Sequence, residues 1–206
     1  MKNQYSIFTE QDVTIRNIEL QDGELVYIPN FYSSEKSKQI FNALKKEINW
    51  QQQKIVLFGK QFDEPRLSAW YAEKNVNYSY SGIQLVAQEF TPILQELKKE
   101  VEQKSNTTFN SVLLNLYRNG NDSMGWHADD EKELGINPII ASLNFGETRR
   151  FKLKYKTNKN LKFEIDLENG SLLIMQGALQ HHWMHHIPKT KRQLNERINL
   201  TFRKVI

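Results

Sequence analysis

The 206-residue sequence contains no cysteine, which excludes disulfide bonds and metal sites built on thiolates. No apolar run approaches the roughly 20 residues that a membrane-spanning helix needs, and the N-terminal segment lacks the hydrophobic region of a signal peptide. Repeats, low-complexity tracts and evident linkers are also missing. We therefore expect one soluble domain over residues 1–206, located in the cytoplasm, or in the nucleus if its source is eukaryotic, with a monomer as the default state.

The charge balance is mildly basic, with 28 Lys and Arg against 24 Asp and Glu, for a net charge of +4. Basic residues cluster at 149–156 and again at 189–192. Each cluster fits a solvated strand face or a charged turn, but together they permit a polyanionic partner such as a nucleic acid.

The five histidines lie in only two places, at His127 and in the HHWMHH segment at 181–186. In an extended segment, residues i and i+2 point to the same side, so His127 and Asp129 can aim at one point. Two histidines and one carboxylate on one side of a metal form the facial triad of non-heme Fe(II) oxygenases. A His-x-Asp triplet alone is weak evidence, because such triplets also occur in solvated loops.

Hydrophobic periodicity predicts two helices in the first half, at about 34–49 and 92–104, capped by Ser33 or Ser34 and by Thr91. A strand-rich stretch separates them. From about residue 109 onward short strands follow one another without an intervening helix, which favours a closed sandwich or barrel. The predicted strands are 109–117, 138–145, 149–156, 162–167, 170–176, 181–187 and 197–205.

Two of these strands alternate between apolar and polar residues. The polar set faces either water or a polar cavity, and the nearby His-x-Asp triplet favours a cavity. An arginine there can grip a carboxylate through its planar fork, and Arg197 and Arg203 share one strand face; the alternative is a pair of surface arginines. The polar set is Asn115, Tyr117, Arg197, Asn199, Thr201 and Arg203.

Six motifs in order resemble the AlkB family of iron(II)- and 2-oxoglutarate-dependent dioxygenases, which repair alkylated nucleic acids, and most resemble its eukaryotic double-strand DNA-repair members. The resemblance extends from about Leu57 to Val205. It implies a double-stranded β-helix, or jelly-roll, core at 109–206, preceded at 1–108 by helices and a nucleotide-recognition lid. The motifs are NLYRNG at 115–120, GWHADDE at 125–131, IASLNFG at 140–146, GSLLIMQ at 170–176, HWMHHIP at 182–188 and RINLTFR at 197–203.

The resemblance implies that His127 and Asp129 bind Fe(II). Strand alternation leaves the third ligand open among His182, His185 and His186. The twelve-residue interval to Arg197 matches the family and selects His185. The same resemblance assigns 2-oxoglutarate contacts to the polar set already found by alternation: Asn115, Tyr117, Arg197, Asn199, Thr201 and Arg203.

The resemblance also implies a base-flipping hairpin and a base pocket. Phe58 would enter the gap left by the flipped base, although a core position in a strand is the alternative. Tyr80 would stack on the base opposite His127. The other implied pocket residues are Arg66, Tyr78, Ser81, Asp130 and Glu131, whose carboxylates suit a cationic base unless they are plain surface acids; Lys189, Lys191 and Arg192 would contact phosphates.

The implied activity is oxidative demethylation of 1-methyladenine and 3-methylcytosine in DNA, which consumes O2 and 2-oxoglutarate and releases formaldehyde, succinate and CO2. The alternatives are a 2-oxoglutarate-dependent hydroxylase or demethylase acting on RNA or protein, and a jelly-roll module that binds lesions without turnover.

Overall fold

A computed structural model describes residues 14–57, 60–74, 76, 79–80, 83–84 and 87–206. Both predicted helices are present. Helix α1 (Ser34–Glu47) is capped by Ser33, whose side chain accepts a hydrogen bond from the Lys36 backbone N–H. Helix α2 (Pro92–Ser105) is capped in the same way by Thr91. No helix in these ranges is long and apolar enough to cross a membrane.

The strands are mostly short and antiparallel. A further α-helix, α3, is a single turn (Leu179–His182), and Lys132–Leu134 form a 3-10 turn. The strands are β1 (Arg16–Leu20), β2 (Gly23–Ile28), β3 (Lys54–Leu57), β4 (Lys60–Asp63), β5 (Leu67–Ala72), β6 (Ser79–Tyr80), β7 (Ile83–Gln84), β8 (Ser111–Tyr117), β9 (Met124–His127), β10 (Ile140–Gly146), β11 (Arg149–Tyr155), β12 (Lys162–Leu167), β13 (Leu172–Gln176), β14 (Trp183–Ile187) and β15 (Arg197–Arg203).

Two larger sheets form the core of the fold. A seven-stranded sheet has the order β1-β2-β13-β10-β15-β8-β5, and a four-stranded sheet has the order β12-β11-β14-β9. The pairs β3-β4 and β6-β7 form separate small sheets. This mainly β architecture with flanking helices confirms the predicted jelly-roll class.

Two hydrophobic clusters bury opposite faces of the large sheet. One cluster joins the sheet to α1 and α2, and it takes Ile198, Leu200 and Phe202 from β15. The other cluster contains residues from both larger sheets, including Leu113 and Leu153. Since successive strand residues point to opposite faces, the polar residues of β15 face the space between the two sheets.

The N-terminal hairpin β1-β2 extends the large sheet, a role that the sequence analysis did not predict. Leu20 pairs with Gly23 across a tight turn in which Asp22 has φ 54°, and β2 then pairs with β13. With β5, three strands of this sheet come from residues before 108. The predicted boundary between a lid segment and a core at 108 therefore runs through the sheet.

The prediction of a strand at 181–187 was wrong for its first two residues. Residues 179–182 form α3 and the strand begins at Trp183. Gly177, at φ 65°, turns the chain after β13, and Leu179 then packs so closely on Gly23 that a Cβ there would lie 2.5 Å from Leu179 Cδ1. That contact fixes the turn from a point distant in sequence.

Candidate active site

One cavity between the two sheets collects all nine residues predicted to bind metal or cosubstrate. Strands β8 and β15 supply its polar floor, β9 and the residues after it supply His127 and Asp129, and β14 supplies His185. Apolar residues such as Leu113 and Phe151 complete the lining. The predicted residues are Asn115, Tyr117, His127, Asp129, His185, Arg197, Asn199, Thr201 and Arg203.

Three of these residues form a group that can hold a metal ion. One potential ligand atom from each of His127, Asp129 and His185 lies within 4.8 Å of the others. His127 and His185 face each other across β9 and β14, with ring centroids 4.2 Å apart. The geometry thus groups His185, rather than His182 or His186, with the His-x-Asp pair.

Asp129 has one carboxylate oxygen that is bonded to Arg203 and one that is available to a cation. Arg203 Nη2 donates to Asp129 Oδ1 at 2.7 Å, while Oδ2 is buried without a hydrogen-bond partner among the described residues. Burial alone raises the pKa of the Asp129 carboxyl, but the positive charge and hydrogen bond of Arg203 act in the opposite direction, and the pKa lies below its usual value. The carboxylate is therefore ionised, with one oxygen available to a metal.

The two histidines are suited to bind metal as neutral imidazoles. His127 Nδ1 lies 2.8 Å from the Gly125 carbonyl oxygen; a proton on Nδ1 makes this a hydrogen bond and leaves Nε2 as a ligand. Burial lowers the pKa of His127, and burial together with the neighbouring His127 lowers the pKa of His185 to about 3. The set of donors fits a divalent metal such as Fe(II).

Arg197 is a buried cation that lacks an acidic partner among the described residues. It is 1% exposed. Its Nη2 donates to Asn144 Oδ1 at 2.6 Å, and the guanidinium lies 5.0 Å from the centroid of the Tyr117 ring. Its Nε and Nη1 atoms are buried and make no hydrogen bond to a described residue. Burial lowers the pKa of Arg197 to about 10. A buried guanidinium with two unused donors in a cavity indicates a site for an anion.

A model of the 2OG-Fe(II) oxygenase superfamily matches residues 24–203. The chain belongs to the 2OG-Fe(II) oxygenase superfamily. Apart from β1 and the first residue of β2, this match covers both larger sheets, and it includes every residue that lines the cavity. The residues described above fit both groups in that name, since the His–Asp–His set suits Fe(II) and Arg197 suits a carboxylate of 2-oxoglutarate.

Curated relatives confirm the resemblance to AlkB proteins. The chain is 40% identical over 186 residues to alpha-ketoglutarate-dependent dioxygenase alkB homolog 3 of Bos taurus, covering 86% of this chain and 64% of that protein. It is 33% identical over 201 residues to DNA oxidative demethylase ALKBH2 of Homo sapiens, covering 93% and 77%. The chain thus spans 64% of the length of the first of these relatives.

A solved structure agrees on the fold. The structure of OsALKBH1 superposes with a TM-score of 0.63 over 92% of this chain and 100% of that chain, at 17% sequence identity. At that identity the likeness supports the fold alone.

Asn144 contacts two residues of the cavity, Arg197 and Asn199, and was not predicted from the sequence. Its Oδ1 accepts hydrogen bonds from Arg197 Nη2 and from Asn199 Nδ2 at 3.2 Å. Its Nδ2 donates to the carbonyl oxygens of Ser142 and Ser171. Asn144 therefore orients the guanidinium. Ser142 and Asn144 alternate with apolar residues in β10, a signal that could have identified them.

Two other buried residues form hydrogen bonds to residues that line the cavity. Gln180 Oε1 in α3 accepts a hydrogen bond at 3.0 Å from the backbone N–H of Asp129. Arg66, predicted to line the base pocket, is buried; its Nε donates to Asn115 Oδ1 at 2.7 Å and its Nη2 to Glu64 Oε1 at 2.8 Å. Arg66 thus contacts a residue of the cavity floor.

The remaining residues predicted to bind substrate differ in their exposure, and some of them lie outside the described residues. Asp130 is exposed, contacts His181 Nδ1 and forms an ion pair with Lys156 at 2.9 Å. Glu131 is half-buried at the start of a short 3-10 turn. Lys189, Lys191 and Arg192 are exposed in the loop between β14 and β15. Phe58, Tyr78 and Ser81 lie outside the described residues, as does the side chain of Tyr80.

Proposed function

We propose that this chain is an AlkB-type dioxygenase that demethylates N-alkylated bases in DNA, with 1-methyladenine and 3-methylcytosine as substrates. The metal is held by His127, Asp129 and His185, and the cosubstrate is 2-oxoglutarate. The observation that carries the proposal is that one cavity combines a His–Asp–His group with the buried guanidinium of Arg197, whose Nε and Nη1 make no hydrogen bond to a described residue.

The metal-binding group and Arg197 together indicate which kind of cosubstrate fits the cavity. A molecule that spans the cavity needs oxygen donors for a metal at one end and a carboxylate for a guanidinium at the other. 2-Oxoglutarate has a keto acid at one end and a carboxylate at the other. Arg197 thus supports a dicarboxylate cosubstrate and discriminates against a keto acid without the second carboxylate.

When bound, the iron and 2-oxoglutarate supply the oxidation of an N-methyl group by O2, with 2-oxoglutarate decarboxylated to succinate and CO2 and the methyl group released as formaldehyde. The chain's residues bind and orient. Arg203 keeps Asp129 ionised, the Gly125 carbonyl keeps a proton on His127 Nδ1, and Asn144 aims Arg197.

Nucleic acid as the substrate is supported by a basic loop that is held in place. The Thr190 backbone N–H donates to the Gly120 carbonyl oxygen at 2.8 Å, and buried Arg149 donates to the Pro188 carbonyl oxygen at 2.7 Å. Lys189, Lys191 and Arg192 make no ion pair with any described residue. A fixed loop with unpaired cations suits phosphates, which position the strand without reading its sequence.

The base pocket is proposed from the sequence resemblance. Tyr80 stacks on the flipped base opposite His127, with Tyr78, Ser81 and Arg66 around it. Asp130 and Glu131 follow the ligand Asp129 directly in the chain, so they place negative charge beside a cationic methylated base. A damaged base costs less to unstack than a paired one, which assists flipping.

The test is succinate and formaldehyde release from matched methylated and unmethylated oligonucleotides of DNA and RNA. Methylated DNA should stimulate both products, and His127→Ala should abolish both. His182→Ala is the matched control, because His182 lies against Tyr155 rather than with the metal-binding group. Stimulation by methylated RNA alone, or by no nucleic acid, would refute DNA as the substrate.

A further inference from the structure

The two histidines of the metal-binding group lie on paired strands where the pairing is irregular. His127 pairs with His185, and Met124 pairs with Ile187, with a register shift between the two pairs. Two residues of β9, Gly125 and Trp126, therefore oppose the single residue His186 of β14. This is a β-bulge, which disrupts the local ladder of backbone hydrogen bonds. The backbone alone thus fixes the two histidines less firmly than a regular pair of strands would.

Two ring side chains span this irregularity. Trp126 precedes His127 and His186 follows His185; His186 lines the cavity, whereas Trp126 does not. Their rings stack with centroids 3.7 Å apart and planes 19° apart. Lys154 Nζ adds a cation–π contact at 4.3 Å from the centroid of Trp126. Trp126 is nevertheless 37% exposed, so this contact is not part of a buried core.

We propose that Trp126 and His186 form a stacking clamp that holds His127 and His185 at the separation the metal requires. They are positioning residues, and the inference rests on the proposed iron site. An exposed tryptophan beside an active site also suits stacking with a nucleic-acid base. We favour the clamp because His186 is already stacked on the ring of Trp126 and Lys154 lies over the same ring.

The expected effect is on metal affinity rather than on folding. Residues that orient metal ligands typically contribute 10- to 100-fold in metal affinity. Trp126→Ala and His186→Ala should each weaken metal binding by about tenfold or more. Trp126→Phe and His186→Phe keep an aromatic ring and should restore most of the affinity. Because each single alanine variant already breaks the stack, the double alanine variant should lose little more than either one.

The experiment is a titration with Mn(II), in which electron paramagnetic resonance reports the unbound ion, on the full chain without 2-oxoglutarate. Melting temperatures of the metal-free variants show whether each one is folded. Lys154→Ala is the matched control, because it removes a cation beside Trp126 but keeps the stack; its Mn(II) affinity should equal that of the wild type. His127→Ala should lose Mn(II) binding altogether.

The outcomes separate the clamp from the iron site itself. If His127→Ala binds Mn(II) like the wild type, the proposed metal site is wrong. If His127→Ala loses the metal while Trp126→Ala and His186→Ala keep wild-type affinity, the site stands and the clamp is refuted. Equal losses in the alanine and phenylalanine variants would also refute the clamp, because a stack requires only an aromatic ring.

Discussion

Replacing Arg197 with Met should weaken the binding of 2-oxoglutarate without lowering the stability of the fold. The guanidinium is 1% exposed, with Nε and Nη1 making no hydrogen bond to a described residue. Removing one partner of a buried charge pair costs roughly 2–5 kcal/mol. Because about 1.4 kcal/mol is a factor of ten, 2-oxoglutarate should bind roughly 30-fold to several-thousand-fold more weakly.

The same change should not destabilise the protein without 2-oxoglutarate. Burial lowers the pKa of Arg197 to about 10, which means that folding disfavours the charged form throughout the neutral range. Replacing buried charges with apolar side chains of similar size is often neutral or stabilising, by about 1–4 kcal/mol. Asn144 Oδ1 keeps its hydrogen bond from Asn199 Nδ2, so the loss of Arg197 does not leave it unpaired.

The assay compares melting temperatures with and without 2-oxoglutarate, together with the 2-oxoglutarate dependence of succinate release. Without 2-oxoglutarate, Arg197→Met should have a melting temperature equal to or above that of the wild type. Addition of 2-oxoglutarate should raise the melting temperature of the wild type but not that of Arg197→Met. Arg197→Lys should be intermediate, because it keeps the charge but not the fork. Arg150→Met is the control, since Arg150 is exposed and pairs with Glu164 and Asp166. A lowered melting temperature with unchanged cosubstrate dependence would refute the reasoning.

Three other predictions follow from neighbouring parts of the molecule. Asn144→Ala should weaken 2-oxoglutarate binding less than Arg197→Met does, because the guanidinium remains but loses its orienting bond; a titration that shows wild-type affinity would contradict this. Gly120→Ala should weaken binding to methylated oligonucleotides, since a Cβ there would lie 2.6 Å from the Thr190 carbonyl oxygen and would displace the basic loop. Gly125→Ala is the control, because a Cβ there meets open space and should leave this binding unchanged. Phe58→Ala should slow repair of methylated duplex far more than of single strands, because a base–aromatic stack contributes about 1–3 kcal/mol; equal losses with a lower melting temperature would instead place Phe58 in the core.

The floor of the site could be predicted from local sequence because strand periodicity is a local property. Alternation in β15 sends Ile198, Leu200 and Phe202 to the helices and the four intervening polar residues to the cavity. The caps of α1 and α2 are likewise set by neighbours in the chain. Such features need no knowledge of distant contacts.

The missed features depend on contacts between distant parts of the chain. The helical turn at 179–182 is fixed by packing of Leu179 against Gly23. The bulge that places Trp126 on His186 exists only when β9 meets β14. Strand alternation could not choose His185 over His182 or His186, because the choice depends on where α3 ends and β14 begins.

The central claim is that one cavity combines a metal bound by His127, Asp129 and His185 with a cosubstrate held by Arg197, and that it acts on methylated DNA. The most direct test measures formaldehyde and succinate together on an oligonucleotide that contains 1-methyladenine. The account predicts release of both products in equal amounts, dependent on Fe(II) and 2-oxoglutarate, and abolished in His185→Ala but not in His182→Ala. Succinate release that methylated DNA does not stimulate, or full activity in His185→Ala, would contradict it.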